Sequence, residues 1–170
     1  MNPSRHYLAT LVVAIVIVSA FTAPSGAQKY SDWSEPINLG PNVNSTSMDR
    51  GPAISKDGLS LYFASNRPGG FGTGEDIYVS QRATRDSEWG PAMNLGPIIN
   101  TRGFEVSPFY HHKFNVLYFS SNGQPLNFGD FDIYKSYRIK DAWGEPKNIG
   151  PLVNGPGTEY YFTIDSQSKT

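Results

Sequence analysis

Hydrophobic and polar positions alternate with a period of two along several short stretches of this chain. In LYFASN, Leu61 and Phe63 alternate with Tyr62 and Ala64, and this period places successive side chains on opposite faces of a β-strand. The chain also contains 17 Gly, 13 Pro and 14% aromatic residues, as expected for many short strands joined by turns. Apolar positions with a helical period do not continue beyond one or two turns after the N-terminal segment, so the pattern predicts an all-β protein.

One phrase occurs three times in the sequence. It reads WSEPINLGPNVNS from Trp33, WGPAMNLGPIINT from Trp89 and WGEPKNIGPLVNG from Trp143, with 56 residues from 33 to 89 and 54 from 89 to 143. Between these phrases, LYFASN and DIYVSQR recur as LYFSSN and DIYKSYR. Such repetition indicates one structural unit that is used more than once.

Each copy is predicted to form four short strands. PAIS leads through the Asp57–Gly58 turn, a hairpin signal, into LSLYFAS, and a glycine-rich loop then leads into DIYVSQR and WGPAMNLG. Four antiparallel strands connected as a meander form one blade of a β-propeller. The prediction is therefore an all-β partial propeller, with complete blades at about 49–96 and 105–150, a lone fourth strand at 33–40 and a lone first strand of a partial third blade from 158.

The N-terminal segment predicts export. Arg5 and His6 precede the apolar run LATLVVAIVIVSAF, and the small residues Ser25 and Ala27 follow it, which is the order found in a secretory signal peptide. The run of about 14 residues is shorter than the roughly 20 that span a bilayer as a helix. We therefore expect a signal peptide at 1–27, a mature repeat region at 28–170 with no stable membrane span, and a periplasmic or secreted location. The absence of Cys fits a bacterial exported protein.

The recurring motifs resemble a known repeat family. The hairpin S-x-D-G, the stretches LYFASNRPGGFG and DIYVS, and the pattern W-x-x-P-x-N-L-G-x-x-V-N together resemble the TolB-like, WD-like propeller repeats of bacterial periplasmic proteins. The resemblance covers the mature chain and implies an exported propeller that binds other molecules. It implies no single activity, because propellers carry unrelated functions on one scaffold.

An acidic residue follows each repeated asparagine by five positions, namely Asp49, Glu105 and Glu159. At the start of the innermost strands of a closed ring, these carboxylates would line the channel mouth and bind a cation or a basic peptide. The alternative is that each carboxylate accepts backbone N–H groups and fixes the link between blades. An enzymatic hypothesis uses Asp49 and Glu105 as the acids of a glycan-acting hydrolase, which requires a defined separation around the scissile bond.

Other recurring residues are predicted to have structural roles. Asp76 and Asp132 open the third strand of each copy, and the family resemblance implies that they anchor the preceding loop by accepting its amide groups. Trp33, Trp89 and Trp143 occur once per copy, so we interpret them as packing elements of the repeat.

No cofactor and no metal site are predicted. His111 and His112 are adjacent, and on a strand their side chains would diverge rather than share a metal ion. The glycine-rich loop Asn66–Gly74 joins two strands and lacks the helix N-terminus of a phosphate-binding loop. Arg67 has Gly123 as its counterpart, so it is either a solvated charge or a contact specific to the first copy.

These patterns predict a non-enzymatic binding or scaffold protein of the bacterial envelope, with a protein or cell-wall component as partner. The formal net charge of −1 provides no basic face for a nucleic acid. Propellers usually have four to eight blades, and only two are complete here. The chain is therefore interpreted as a truncated propeller, with a ring-forming oligomer and a stable two-blade module as alternatives.

Overall fold

The computed structural model of the chain describes residues 33–165, so the predicted signal peptide at 1–27 lies outside the described residues. The chain divides into two units between Pro36 and Ile37. Residues 33–36, in the first unit, form no strand. All the strands described below belong to the second unit.

The first sheet contains four antiparallel strands that pair in sequence order. They are β1 Asp49–Ile54, β2 Ser60–Ser65, β3 Asp76–Gln81 and β4 Met93–Asn94. The hairpin between β1 and β2 contains the predicted Asp57–Gly58 turn. In this turn Gly58 N–H donates to the Ser55 carbonyl at 2.8 Å and has a φ of 78°, which glycine adopts at low cost because it has no Cβ.

The second sheet contains five strands. They are β5 Glu105–His111, β6 Val116–Ser121, β7 Asp132–Ile139, β8 Ala142–Trp143 and β9 Lys147–Asn148. The strands β5, β6 and β7 pair antiparallel in that order, and β8 and β9 both pair with β7. A 3₁₀ turn at His112–Phe114, followed by Asn115 with a φ of 52°, connects β5 to β6. The observed architecture is thus all-β, with two open antiparallel sheets.

The two flanking strands that the sequence predicts do not form. Residues 33–40 contain no strand, and residues 158–164 contribute a single parallel bridge between Phe131 and Thr158. A strand needs a neighbour that pairs its N–H and C=O groups, and the described part of the chain gives neither segment an antiparallel neighbour. The prediction of single flanking strands is therefore wrong for these residues.

The predicted fourth strands form only in part. In the stretch from Trp89 to Gly96, only Met93–Asn94 is paired as a strand, and in the second sheet the corresponding stretch is divided between β8 and β9. Pro91 precedes β4 and Pro146 precedes β9. Proline has no N–H to donate to a neighbouring strand, which limits the length of pairing at this edge.

A hydrophobic core lies where the two sheets face each other. Its buried members are Tyr62, Ile77, Val79, Ile99, Leu117, Phe119 and Tyr134. Burial of each such large apolar side chain contributes about 1.5–3 kcal/mol. Leu61 and Phe63 belong to a separate cluster with Val43, Tyr78 and Trp89, so neighbouring residues of β2 point to opposite faces, as the period of two predicts.

The first strands of the two sheets, β1 and β5, lie beside each other. Gly51 and Ser107 have φ values of 60° and 51°, and the pairing of each strand with its neighbour shifts register at this point. A Cβ at Gly51 would lie 3.4 Å from the Cα of Ser107. This close approach brings two strand edges together, and the candidate site lies along them.

Candidate functional site

The three acids of the predicted column each make the same type of contact. The carboxylates of Asp49, Glu105 and Glu159 each accept the backbone N–H of the residue four positions earlier, at 2.6, 2.7 and 3.1 Å. Each acid thereby closes the turn that leads into its strand. This is the arrangement described by the alternative interpretation, in which the carboxylates fix the links between repeats.

Two of these acids are further engaged by neighbouring side chains. Glu105 is fully buried and accepts the hydroxyl groups of Thr101 and Ser121 at 2.7 Å each, and burial raises its pKa despite these bonds. Burial opposes ionisation of Asp49 as well. Hydrogen bonds from Ser65, Arg67 and Ser45 nevertheless lower the pKa of Asp49 to about 2, and the Arg67 guanidinium forms an ion pair with it at 2.7 Å. The geometry thus directs both carboxylates into the protein.

Arg67 makes a contact specific to the first copy. Its guanidinium donates to the Asp49 carboxylate and to the carbonyl of Val43, each at 2.7 Å. The same group lies 5.0 Å from the ring centroids of Phe63 and Tyr78, a distance at which cation–π attraction operates. Of the two readings of Arg67, the structure shows a contact rather than a solvated charge.

The repeated phrase N-x-G-P-x-x-N forms a turn whose bonding the sequence pattern did not reveal. In all three copies the side-chain oxygen of the first asparagine accepts the glycine N–H at 2.8 Å and the side-chain amide of the last asparagine at 2.7–3.0 Å. Asn100 and Asn154 also pair with both backbone groups of Ile77 and Ile133. The side chain of Asn44 makes no such backbone pair among residues 33–165.

Asp76 and Asp132 lie at the start of β3 and β7 and are buried. Asp76 accepts the N–H of Phe71 at 2.8 Å and the side-chain amide of Asn94 at 2.7 Å. Asp132 likewise accepts a loop N–H and an asparagine amide, at 2.7 and 2.6 Å. Both carboxylates therefore bond to the loop that precedes their strand and to the turn that follows it.

Two glycines allow the long loops to approach the linker segments. A Cβ at Gly74 would overlap the carbonyl oxygen of Gly103, and one at Gly129 would overlap that of Gly157. The end of the glycine-rich loop Asn66–Gly74 is thus shaped by backbone packing within the protein.

The three tryptophans have different surroundings. Trp89 is buried, and the guanidinium of Arg82 lies 4.3 Å from its ring centroid. Trp143 is half-buried and meets the ring of Tyr62 edge-on at 6.3 Å. Trp33 belongs to the other unit of the chain, and its packing role stays a prediction.

Two adjoining cavities of about 530 and 300 Å³ lie along β1 and β5. Ile54 and Phe109 line both of them, and we call the combined depression the edge groove. The smaller cavity is lined by Gly51–Ile54, Ser107–Phe109, Tyr161 and Phe162. The larger cavity is lined by Ile54, Lys56, Phe109–Lys113 and Ile164. The edge groove therefore combines apolar side chains with a basic end.

His111 is the unusual residue of the larger cavity. It is 4% exposed and stacks on Phe114 with ring centroids 4.8 Å apart. Neither of its ring nitrogens has a hydrogen-bond partner among the described residues, although buried polar groups are generally paired. The signal in the sequence is a departure from the repeat, since His111 and His112 stand where the first copy has Ser55 and Lys56.

Neither membrane helices nor metal clusters are found among residues 33–165. No helix in this range is long and apolar enough to cross a bilayer, and no group of three or more His, Asp or Glu side chains there could hold a metal ion. Comparison with models of protein families gives no match, and comparison with curated proteins gives none either. The function must therefore be inferred from the site itself.

Proposed function

We propose that this chain is an exported, non-enzymatic binding or scaffold protein of the bacterial envelope, built from TolB-like propeller blades. The observation that carries the proposal is the edge groove, which consists of two adjoining cavities of about 530 and 300 Å³ along the adjacent edges of β1 and β5. Cavities of this size, mostly apolar with a few polar groups, are typical of binding sites. The proposed partner is an envelope protein or a cell-wall component.

The arrangement of the sheets supports the blade hypothesis. In each sheet the first three strands pair antiparallel in sequence order, as in a propeller blade. The Tyr62 side of the first sheet packs against the Leu117 and Phe119 side of the second. Stacking of one blade face against the opposite face of the next is the relation that a propeller would repeat.

The surroundings of Asp49 and Glu105 do not favour the alternative hypothesis of a glycan-acting hydrolase. Glu105 is fully buried and accepts three hydrogen bonds from Thr101 and Ser121, and Asp49 is paired with Arg67. A glycoside hydrolase needs two carboxyl groups that face the scissile bond from a cleft. These two carboxyl groups instead hold turns of the protein.

The proposal is tested by capture of partners from envelope extracts with the purified protein. Ile54 lines both cavities and is 55% exposed, so Ile54→Glu alters the groove without disturbing the core. Ile139, at the end of β7, is 67% exposed and provides the matched control Ile139→Glu. We expect the wild type and Ile139→Glu to capture the same partner and Ile54→Glu to lose it.

Two results would count against this function. Capture of nothing above a scrambled-sequence control would remove the binding role. Equal capture by Ile54→Glu and Ile139→Glu would show that the edge groove is not the binding surface.

A further inference from the structure

We propose that the larger cavity of the edge groove binds a carboxylate group, carried by a small molecule or chain end with an apolar or ring-shaped body. The inference rests on the proposed function, because it names the ligand chemistry of the same groove. Three features of the cavity carry it: its charge, an unpartnered buried imidazole and an aromatic wall.

The charge around the cavity is positive. Lys56, His112 and Lys113 line it and are exposed. Arg85 adds a cation nearby, because its guanidinium donates to the backbone carbonyls of Lys56 and Asp57. Charge-assisted hydrogen bonds from lysine to a carboxylate are stronger than those between neutral groups.

Asp57 directly follows the lining residue Lys56, and its carboxylate already has partners. It accepts the hydroxyl of Ser55 at 2.5 Å and the N–H of Leu59 at 2.9 Å. These bonds, followed by weaker attraction to His112 and Arg85, lower the pKa of Asp57. Asp57 therefore serves the β1–β2 hairpin rather than the lysines of the cavity.

The imidazole of His111 supplies a second, independent feature. Both of its nitrogens are buried without a partner in the described part of the chain, and an unmet buried donor or acceptor is energetically costly. Both nitrogens are closed to solvent, so the ring must turn toward the cavity before a carboxylate there can accept its N–H. Ligand binding would thus satisfy a group that the protein itself leaves unpaired.

The remaining wall of the cavity suits an apolar or ring-shaped body. Ile54, Phe109, Tyr110 and Ile164 contribute apolar and aromatic surface beside the basic end. The volume of about 530 Å³ lies within the range of small-molecule sites, about 300–1,000 Å³. The cavity thus offers one charged contact and a larger nonpolar one.

The test uses pairs of probes that differ in the charged group. N-acetylphenylalanine is compared with its amide, and methyl glucuronoside with methyl glucoside, by titration calorimetry on the full protein. We expect at least one carboxylate to bind about tenfold or more tightly than its neutral analogue, the ratio that one charge-assisted bond supplies. The two pairs distinguish a peptide-like from a sugar-like source of the carboxylate.

Variants assign the binding to this cavity. We expect Lys56→Gln with Lys113→Gln to abolish the preference for the charged probe, and Lys147→Gln, a lysine of β9, to leave it unchanged. His111→Phe keeps a ring to stack on Phe114 but removes the nitrogens. It should weaken carboxylate binding without loss of thermal stability, whereas a merely structural histidine would leave binding unaltered.

Two outcomes would overturn the inference: no binding of either carboxylate, or equal binding of charged and neutral probes. Its failure can be distinguished from failure of the proposed function. If the double lysine variant still captures the envelope partner while Ile54→Glu does not, the edge groove binds by other chemistry and only the carboxylate inference falls.

Discussion

The equivalent asparagines Asn44 and Asn100 should differ sharply in their contribution to stability. Both end the same N-x-G-P-x-x-N phrase, and both donate a side-chain N–H to the first asparagine of that phrase. Asn100 is 2% exposed and in addition accepts from the N–H of Ile77 at 2.8 Å and donates to its carbonyl at 3.0 Å. Asn44 is exposed. Substitution by alanine at the two positions therefore isolates the contribution of the backbone pair.

The magnitude follows from the groups left unpaired. Asn100→Ala leaves the N–H of buried Ile77 without its partner, at about 1–3 kcal/mol, whereas the Ile77 carbonyl keeps the N–H of Leu95 at 3.1 Å. The two bonds that Asn100 donates, to the Ile77 carbonyl and to Asn94, contribute about 0.5–1.5 kcal/mol each. The free energy of unfolding should therefore fall by about 2–6 kcal/mol. Asn44→Ala removes one exposed hydrogen bond, which contributes about 0.5–1.5 kcal/mol. A whole domain of this kind is stable by about 5–15 kcal/mol, so the first loss is large.

Urea unfolding followed by tryptophan fluorescence measures both losses, because Trp89 is buried in the folded protein. Asn154→Ala serves as a replicate, since Asn154 makes the same pair with Ile133. It should resemble Asn100→Ala. Equal losses at positions 44 and 100 would refute the view that these backbone pairs hold the turns to the sheets.

Two further perturbations probe the loops and the acids. Gly74→Ala should destabilise the protein by more than 1 kcal/mol, on the order of an overpacking cost, because the new Cβ would overlap the carbonyl of Gly103. The control is Gly144→Ala, whose Cβ would lie 3.5 Å from its nearest neighbouring atom. We expect thermal unfolding to show little change for this control. The second perturbation concerns Asp49, whose pKa is lowered from 3.8 to about 2 in the folded protein. Above pH 4 the ionised carboxylate therefore adds about 2 kcal/mol to the free energy of unfolding, and this contribution is lost as the pH falls toward 2. Urea titrations across this range should show the wild type and Asp49→Asn converging in acid, and a constant difference would show that the charge of Asp49 does not stabilise the fold.

Much of the fold follows from local sequence signals. The alternation around Tyr62 predicts β2, because a period of two is the period of a strand. The Asp57–Gly58 pair predicts its hairpin, because a positive φ at Gly58 is accessible to glycine. The lone strands at 33–40 and 158–164 could not be predicted correctly by the same means, since pairing depends on a neighbour and not on the segment itself.

The candidate site was less accessible to prediction than the fold. The spacing of Asp49 and Glu105 in the sequence indicates a recurring acidic position. Their hydrogen-bond partners cannot be read from this spacing, because they depend on how the turns fold onto the strands. His111 and Lys56 are 55 positions apart in the sequence and line the same cavity. The sequence signal at this place is a departure from the repeat, two histidines where the first copy has serine and lysine, and no binding site was predicted from it.

The sequence by itself determined the first three strands of each sheet, the hairpin and the recurrence of one unit, because these depend on side-chain period and on the φ preferences of single residues. The tertiary structure decided which faces of the sheets meet, which carboxylates are buried and where a groove is left open. These properties arise from contacts between residues distant in the chain, and the free energy of such contacts depends on the complete packing around them.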